Sequence, residues 1–306
     1  MKVITNLRHL RKKFTRPVVG IGIFDGVHLG HKRILDKVTG CARRLKGTSL
    51  IITFNPHPAG LLDTIGAPPL LISLKHRLKL FEERGVDVVC VLNFTREFSG
   101  CGAADFIKKV LINKIGARCV VIGRDFKFGR NKEGDMQLLR QMGDRYGFRV
   151  IGMPLFKVGG ETVSSTRIRR LVMAGKLNKA KRFLGRPVSI LGTVVRGSRR
   201  GRLLGYPTAN INPHHEAIPP SGVYAIYAVI DQRRYRGILN IGRRPTFDVN
   251  GEPIIESHLL NFDKDIYGRD IEICFIKRLR PEKRFKNKEG LIKQIRVDEK
   301  RACMLL

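Results

Sequence analysis

Two histidines three residues apart stand at a strand-to-helix junction in Gly22-Ile23-Phe24-Asp25-Gly26-Val27-His28-Leu29-Gly30-His31. A β-branched apolar run stops at a Gly-containing turn, and a helical pattern begins near Leu29. The first N–H groups of a helix are unpaired and carry partial positive charge, so such a junction attracts phosphate. Gly30 has no Cβ and leaves the backbone open to a ligand. His28 and His31 would then donate hydrogen bonds to a phosphate that gains charge during reaction. The plain alternative is a βα turn with two exposed histidines. Half of a metal site is a third reading, but no Cys or carboxylate stands nearby at ligand spacing.

Two other clusters suit the same chemistry. Gly123-Arg124-Asp125-Phe126-Lys127-Phe128-Gly129 is a polar turn between glycines. In Val163-Ser164-Ser165-Thr166-Arg167-Ile168-Arg169, hydroxyls cap a helix start and Arg169 follows one turn later. Hydroxyls, free N–H groups and a guanidinium match the outer phosphates of a triphosphate. Taken singly, these are a tight loop with a packed Phe pair and an ordinary Ser/Thr cap.

The C-terminal part carries a different set. Gly192-Thr193-Val194-Val195-Arg196-Gly197-Ser198-Arg199-Arg200-Gly201 is a Gly-rich basic loop, though not the G-x-x-x-x-G-K-[ST] phosphate loop. In Gly205-Tyr206-Pro207-Thr208-Ala209-Asn210, Thr208 and Asn210 point the same way on extended chain. Their oxygens suit Mg²⁺ beside ATP phosphates. Glu256 and His258 repeat that spacing, and a carboxylate directed into a barrel mouth would take a proton from a hydroxyl nucleophile. The alternative for Glu256 is the polar outer face of an edge strand.

The elements that must position these residues follow from the hydrophobic pattern. Strands are expected at 18–24, 49–54, 87–92, 119–123 and 149–153, with helices at 29–46, 73–84, 102–115 and 135–146. This alternation predicts a doubly wound parallel sheet, with ligands beyond the carboxyl ends of the strands. The pattern changes at Gly185-Arg186-Pro187. Strands expected at 188–195, 222–230, 235–241, 254–260 and 270–279 suggest a small antiparallel barrel, followed by a helix from 288 to about 304. The reading is two domains, 1–184 and 185–306.

Composition excludes some classes. No apolar run approaches the length of a membrane span, and no export signal follows the basic N-terminus. The six cysteines form no C-x-x-C pair and read as reduced cytoplasmic thiols. The net charge of +33 draws anionic ligands, nucleic acid among them. It is spread out, since residues 1–184 hold 36 basic and 13 acidic groups and residues 185–306 hold 23 and 13. No basic-aromatic motif for stacking bases accompanies it, so a general cationic surface is expected, without specific nucleic-acid binding. The sequence carries no signature of a particular oligomer.

Together these segments resemble the bacterial bifunctional riboflavin kinase/FAD synthetase family, from about Pro17 to Asp298. The resemblance rests on Phe24 to His31, Thr53-Phe54-Asn55-Pro56-His57-Pro58, Asp125 to Gly129 and Ser164 to Arg169 in the first part. In the second it rests on Gly205 to Asn210, Asn240-Ile241-Gly242-Arg243-Arg244-Pro245-Thr246-Phe247 and Glu256-Ser257-His258-Leu259-Leu260. It implies a nucleotidyltransferase-type domain followed by a flavokinase barrel. The barrel would phosphorylate riboflavin with ATP to give FMN, with Thr208 and Asn210 on Mg²⁺ and Glu256 as base. The first domain would adenylylate FMN to FAD and release pyrophosphate. There, His28 and His31 would stabilise phosphate charge, Asn55 and Asp125 would position flavin phosphate or nucleotide, and Ser165, Thr166 and Arg169 would hold the outer phosphates. Gly22, Phe24, Asp25 and Gly30, and Gly192, Gly197 and Gly201 in the barrel, complete the expected ATP and flavin contacts. Ile23 and Asn261 depart from the family's usual residues without removing a proposed catalytic group. Two alternatives stay open: an enzyme with one site silent, and a basic nucleic-acid-binding protein.

Overall fold

The computed structural model describes residues 1–5, 14–62, 68–197, 205–214, 217–243 and 253–306. The chain divides into two compact units, residues 1–68 with 74–164, and residues 69–73 with 165–306.

The first unit is built on six parallel strands: β1 (Lys2–Ile4), β2 (Val18–Ile21), β3 (Ser49–Asn55), β4 (Val88–Asn93), β5 (Cys119–Gly123) and β6 (Arg149–Met153). Their order is β1-β4-β3-β2-β5-β6, and a separate two-stranded hairpin, β7 (Lys157–Val158) and β8 (Glu161–Thr162), follows them in the chain. From β2 the chain steps outward through β3 and β4, then returns to lay β5 and β6 on the other side. The order therefore reverses at β2, and ligands bind such sheets beyond the carboxyl ends at that crevice. The strands are near-continuous apolar runs because both faces are covered. Val19, Ile52, Cys90 and Ile122 pack with Ile107 and Leu111 in one core. The helix Leu29–Arg44 buries Ile34, Leu35, Val38 and Ala42. At Gly20 a Cβ would sit 2.9 Å from Val38 Cγ2 of this helix and 2.7 Å from Ile51 Cδ1 of the neighbouring strand. The first unit also carries the helices Leu74–Glu82 and Met136–Tyr146.

Two differences from the sequence reading have local causes. The strand expected at 18–24 ends at Ile21, because Phe24 (φ 57°), Gly26 (φ 80°) and Val27 (φ 37°) turn through left-handed backbone. The three-residue edge strand β1 is too short to show a period.

The second unit opens with the helices Ser165–Met173 and Leu177–Leu184. A closed barrel follows: β9 (Ser189–Val195), β10 (Ala209–Pro213), β11 (Gly222–Ile230), β12 (Arg233–Arg243), β13 (Pro253–Leu259) and β14 (Asp270–Arg280), in the order β10-β13-β12-β11-β14-β9. Sequence reading missed β10, whose polar Asn-x-Asn-Pro pattern hides a strand. Closure removes the unpaired edges of an open sheet. The interior takes alternate residues, with Val194, Ile211, Ile255 and Ile241 in one register row. The helix Lys288–Leu305 covers part of the outer face, where Ala302 packs on Val223, Ala225 and Ile238. Arg280 Nε donates to the buried Asp298 carboxylate at 2.8 Å.

All six cysteines are free. Burial pushes the Cys90 thiol up to about 12 and Cys119 to about 11, so neither is a nucleophile near neutral pH. No described helix is long and apolar enough to cross a membrane.

Candidate active sites

His28 is the N-cap of the helix Leu29–Arg44. Its Nδ1 accepts from His31 N–H at 3.3 Å, which leaves the Nε2 of neutral His28 to carry the proton. The two imidazoles stack at 3.5 Å between centroids and 17° between planes. The Phe24 ring meets His31 edge-on at 5.2 Å and rests on Phe81 at 5.5 Å. Gly30 has a more specific use than open backbone: a Cβ there would lie 3.2 Å from both His28 Cε1 and Nδ1. Burial first, then the charges of His28 and Arg77, holds His31 well below the usual imidazole range. Its Nδ1 is buried without a hydrogen-bond partner among the described residues.

Arg77, on the helix Leu74–Glu82, closes the turn from beneath. Only 2% exposed, it donates from Nη1 to Ile23 O at 2.5 Å and Thr53 Oγ1 at 3.0 Å. Burial lowers its pKa and the nearby Asp25 opposes that shift. Asp25 itself is buried. A cation thus sits under a helix N-terminus already rich in free donors. Asn55 ends β3 and is exposed, and Asp125 is exposed in the turn after β5. Since β3, β2 and β5 are neighbours, the three turns share the carboxyl edge of the sheet. Gly22 lies 3.1 Å, through a notional Cβ, from the Phe24 ring.

Ser165, Thr166 and Arg169 open the helix Ser165–Met173, in the second compact unit. Arg169 is buried and its Nε donates to Pro69 O at 2.6 Å, so part of this guanidinium ties down segment 69–73.

On the barrel, register gathers a polar row. Asn210 pairs with Glu256 across β10 and β13, and Glu256 pairs with Asn240 across β13 and β12. Paired residues share a face. Two residues on, His258 pairs with Ile238, which packs under the C-terminal helix. Glu256 therefore lies on the outer face, half-buried, and not in the barrel mouth, because Ile255 and Ser257 occupy the interior. Gly197 makes room for Asn210, whose Nδ2 lies 2.0 Å from where a Cβ would stand. Gly192 serves strand packing: a Cβ there would meet Ile211 Cγ2 at 2.5 Å and Asn212 O at 2.6 Å. Gly201 lies outside the described residues. Thr208 is half-buried just before β10.

His258 links this row to the C-terminal helix. Its Nδ1 donates to Pro207 O at 2.8 Å, and its Nε2 lies 3.2 Å from Glu299 Oε1. The Tyr206 ring meets it edge-on at 5.4 Å. Beside them opens a cavity of about 530 Å³ whose lining includes Tyr206, Leu260, Phe262, Ile292 and Arg296.

Comparison with known proteins decides what these two sites belong to. The chain matches the family described as FAD synthetase over residues 10–167 and that described as riboflavin kinase over residues 184–306. It is 36% identical over 302 residues to the bifunctional riboflavin kinase/FMN adenylyltransferase of Escherichia coli (strain K12), covering 98% of this chain and 96% of that one. The chain belongs to the bifunctional riboflavin kinase/FMN adenylyltransferase family. The enzyme of the same description from Buchnera aphidicola subsp. Schizaphis graminum is 35% identical over 301 residues, covering 97% and 96% of the two chains. That from Haemophilus influenzae is 34% identical over 300 residues, with 97% of each chain covered. A crystal structure described as a macrolide-efflux protein from Streptococcus pneumoniae superposes with a TM-score of 0.83 at 28% identity over 98% of each chain.

For a chain of this bifunctional family, sequence reasoning missed three groups that the structure brings in. Arg77 reaches Ile23 from 54 residues away. Its one sequence signal is a basic residue on the buried side of an amphipathic helix with Leu80 and Phe81. Asn240 was noted only within a longer segment, and Glu299 carried no signal at all.

Proposed function

We propose that each unit runs one of the family's two reactions on its own polar set. In the second unit, ATP phosphorylates the 5′-hydroxyl of riboflavin. Glu256 takes the hydroxyl proton, the oxygen bonds to the γ-phosphorus, and the bond to the β-phosphate oxygen breaks to release ADP. The pairing of Glu256 with Asn210 and Asn240, which sets a half-buried carboxylate in one row with two amides, carries this reading. The neighbouring cavity, with Tyr206 and Phe262 on its walls, suits an aromatic ring system. Thr208 and Asn210 offer the hard oxygen donors that Mg²⁺ prefers, and the space that Gly197 leaves for Asn210 fits that role. Mg²⁺ held there would offset negative charge on the ATP phosphates. His258, pinned between Pro207 O and Glu299, orients the segment that carries both residues.

In the first unit, an oxygen of the FMN phosphate attacks the α-phosphorus of ATP and pyrophosphate leaves, giving FAD. His28 and His31, the free N–H groups of the helix start and Arg77 beneath them stabilise the charge that builds on the phosphates. Asn55 and Asp125 approach from the flanking strand ends. The functional boundary is placed at 184/185, supported by the start of the riboflavin kinase match at 184. The free thiols suit a reducing cytoplasm.

Incubation with riboflavin and Mg-ATP, with flavins separated over time, tests the reading. FMN should appear before FAD, and FAD formation should release pyrophosphate. A folded protein that forms neither product refutes it.

A further inference from the structure

The net charge of +33 is far more than two ATP sites require, and one part of it is organised. At the edge of the first unit's sheet opposite the histidine turn, a cavity of about 380 Å³ is lined by Arg16, Arg44, Arg118 and Arg149. Its remaining walls are Cys41, Cys119, Leu45 and Ile151. Arg118 directly precedes β5, Arg149 begins β6, and Arg16 lies just before β2, so these three arginines sit at strand amino ends, while Arg44 ends the helix Leu29–Arg44. The helix Leu29–Arg44 starts at the histidine turn and ends at this cavity, which separates the two places by about 24 Å.

Two of the four guanidiniums are held in place. Arg16 Nη1 donates to Leu45 O at 3.2 Å, and Arg44 Nη2 lies 3.0 Å from Cys41 Sγ. Both contacts belong to the helix C-terminus, where cations are favoured, and that accounts for Arg16 and Arg44. It does not account for Arg118 and Arg149. Cys119 pairs with Arg149 in the sheet, so their side chains share a face, the one that carries Ile151. None of the four arginines forms an ion pair with a carboxylate among the described residues. Lys37 and Arg149 both act on the Cys119 thiol, which adds a fifth cation to the neighbourhood. Like charges gathered without a counter-charge are unfavourable unless an anion joins them.

We propose that this cavity is an anion site for a small oligophosphate, distinct from both ATP sites. Guanidiniums suit phosphate because their planar donors pair with two oxygens at once. The volume falls within the range of small-molecule pockets, which favours a di- or triphosphate group over a nucleic-acid backbone. The assignment does not rest on the flavin chemistry.

The chain contains no Trp, so Leu45→Trp places a sole Trp fluorophore in the cavity wall. Titration of that full-length variant with inorganic triphosphate should give a saturable fluorescence change that weakens as salt rises. Adding Arg118→Gln and Arg149→Gln should raise the dissociation constant roughly tenfold or more, since each removes a charged hydrogen-bonding group. Separate titrations with ATP and with duplex DNA identify the source: a response to triphosphate and ATP supports the site, and one to DNA alone overturns it. Calorimetry on the chain without the Trp provides a second measure. There, Arg118→Gln with Arg149→Gln should remove one triphosphate-binding event and spare the rest. An unchanged dissociation constant or an unchanged number of binding events refutes the proposal.

Discussion

His31 gives the sharpest test of the first site, because its burial makes it a neutral group that must not be protonated. Its folded pKa lies well below the ordinary value, through burial and then through His28 and Arg77. In the unfolded chain it titrates near 6.5, as an unperturbed imidazole does. As pH falls below that value, the unfolded state takes up a proton that the folded state refuses. Stability is therefore fully present above about pH 6.5 and is lost as pH falls, by up to about 1.4 kcal/mol per pH unit. Between pH 7.5 and 5.5 the loss from this one residue is at most about 1.4 kcal/mol, the limit in which folded His31 takes up no proton. His31→Gln removes the titration and keeps a polar side chain of similar size. Urea unfolding of both proteins across that window isolates the term, because every other titrating group is common to them. The wild type should lose more than the variant, by up to about 1.4 kcal/mol. By NMR, the His31 Hε1 resonance should also stay unshifted down to pH 5.5. Parallel stability profiles, or a His31 resonance titrating near 6.5, would refute the reasoning. A bound triphosphate reverses the balance by supplying negative charge, so ATP binding near pH 6 should take up protons, seen as a buffer-dependent binding enthalpy.

Glu256→Gln should lower riboflavin phosphorylation by roughly 10²–10⁴-fold while supplied FMN is still converted to FAD. His28→Ala should do the reverse and let FMN accumulate; loss of both activities in either folded variant would point to one shared site. Gly197→Ala would place a Cβ 2.0 Å from Asn210 Nδ2 and displace that side chain. The kinase kcat/KM should fall at least about tenfold, a loss of about 1.4 kcal/mol, with FAD formation unchanged. Fragments 165–306 and 187–306 should both phosphorylate riboflavin and make no FAD. The longer should be more stable by roughly 3–6 kcal/mol in urea unfolding, because it retains the buried Phe183 and Leu184. Duplex DNA binding should be weak, strongly salt-dependent and without sequence preference, and tight selective binding at physiological salt would contradict a general cationic surface.

What the sequence determined by itself is whatever neighbours along the chain encode. The alternation of apolar runs and amphipathic segments specifies the parallel sheet, because each element must bury one face locally. The Phe24–His31 segment specifies its own strand end, turn and helix cap, since all the contacts involved span a few residues. Period-two spacing shows that Glu256 and His258 share a face. Tertiary structure alone decided which face that is, because closing six strands into a barrel sends Ile255 and Ser257 inward and sets Glu256 beside Asn210 and Asn240. It likewise decided that Arg77 lies under the histidine turn, that Glu299 meets His258 and that Arg169 holds Pro69. Each of these contacts joins residues dozens of positions apart. Their pairing depends on how strands order and helices pack, which no local pattern records.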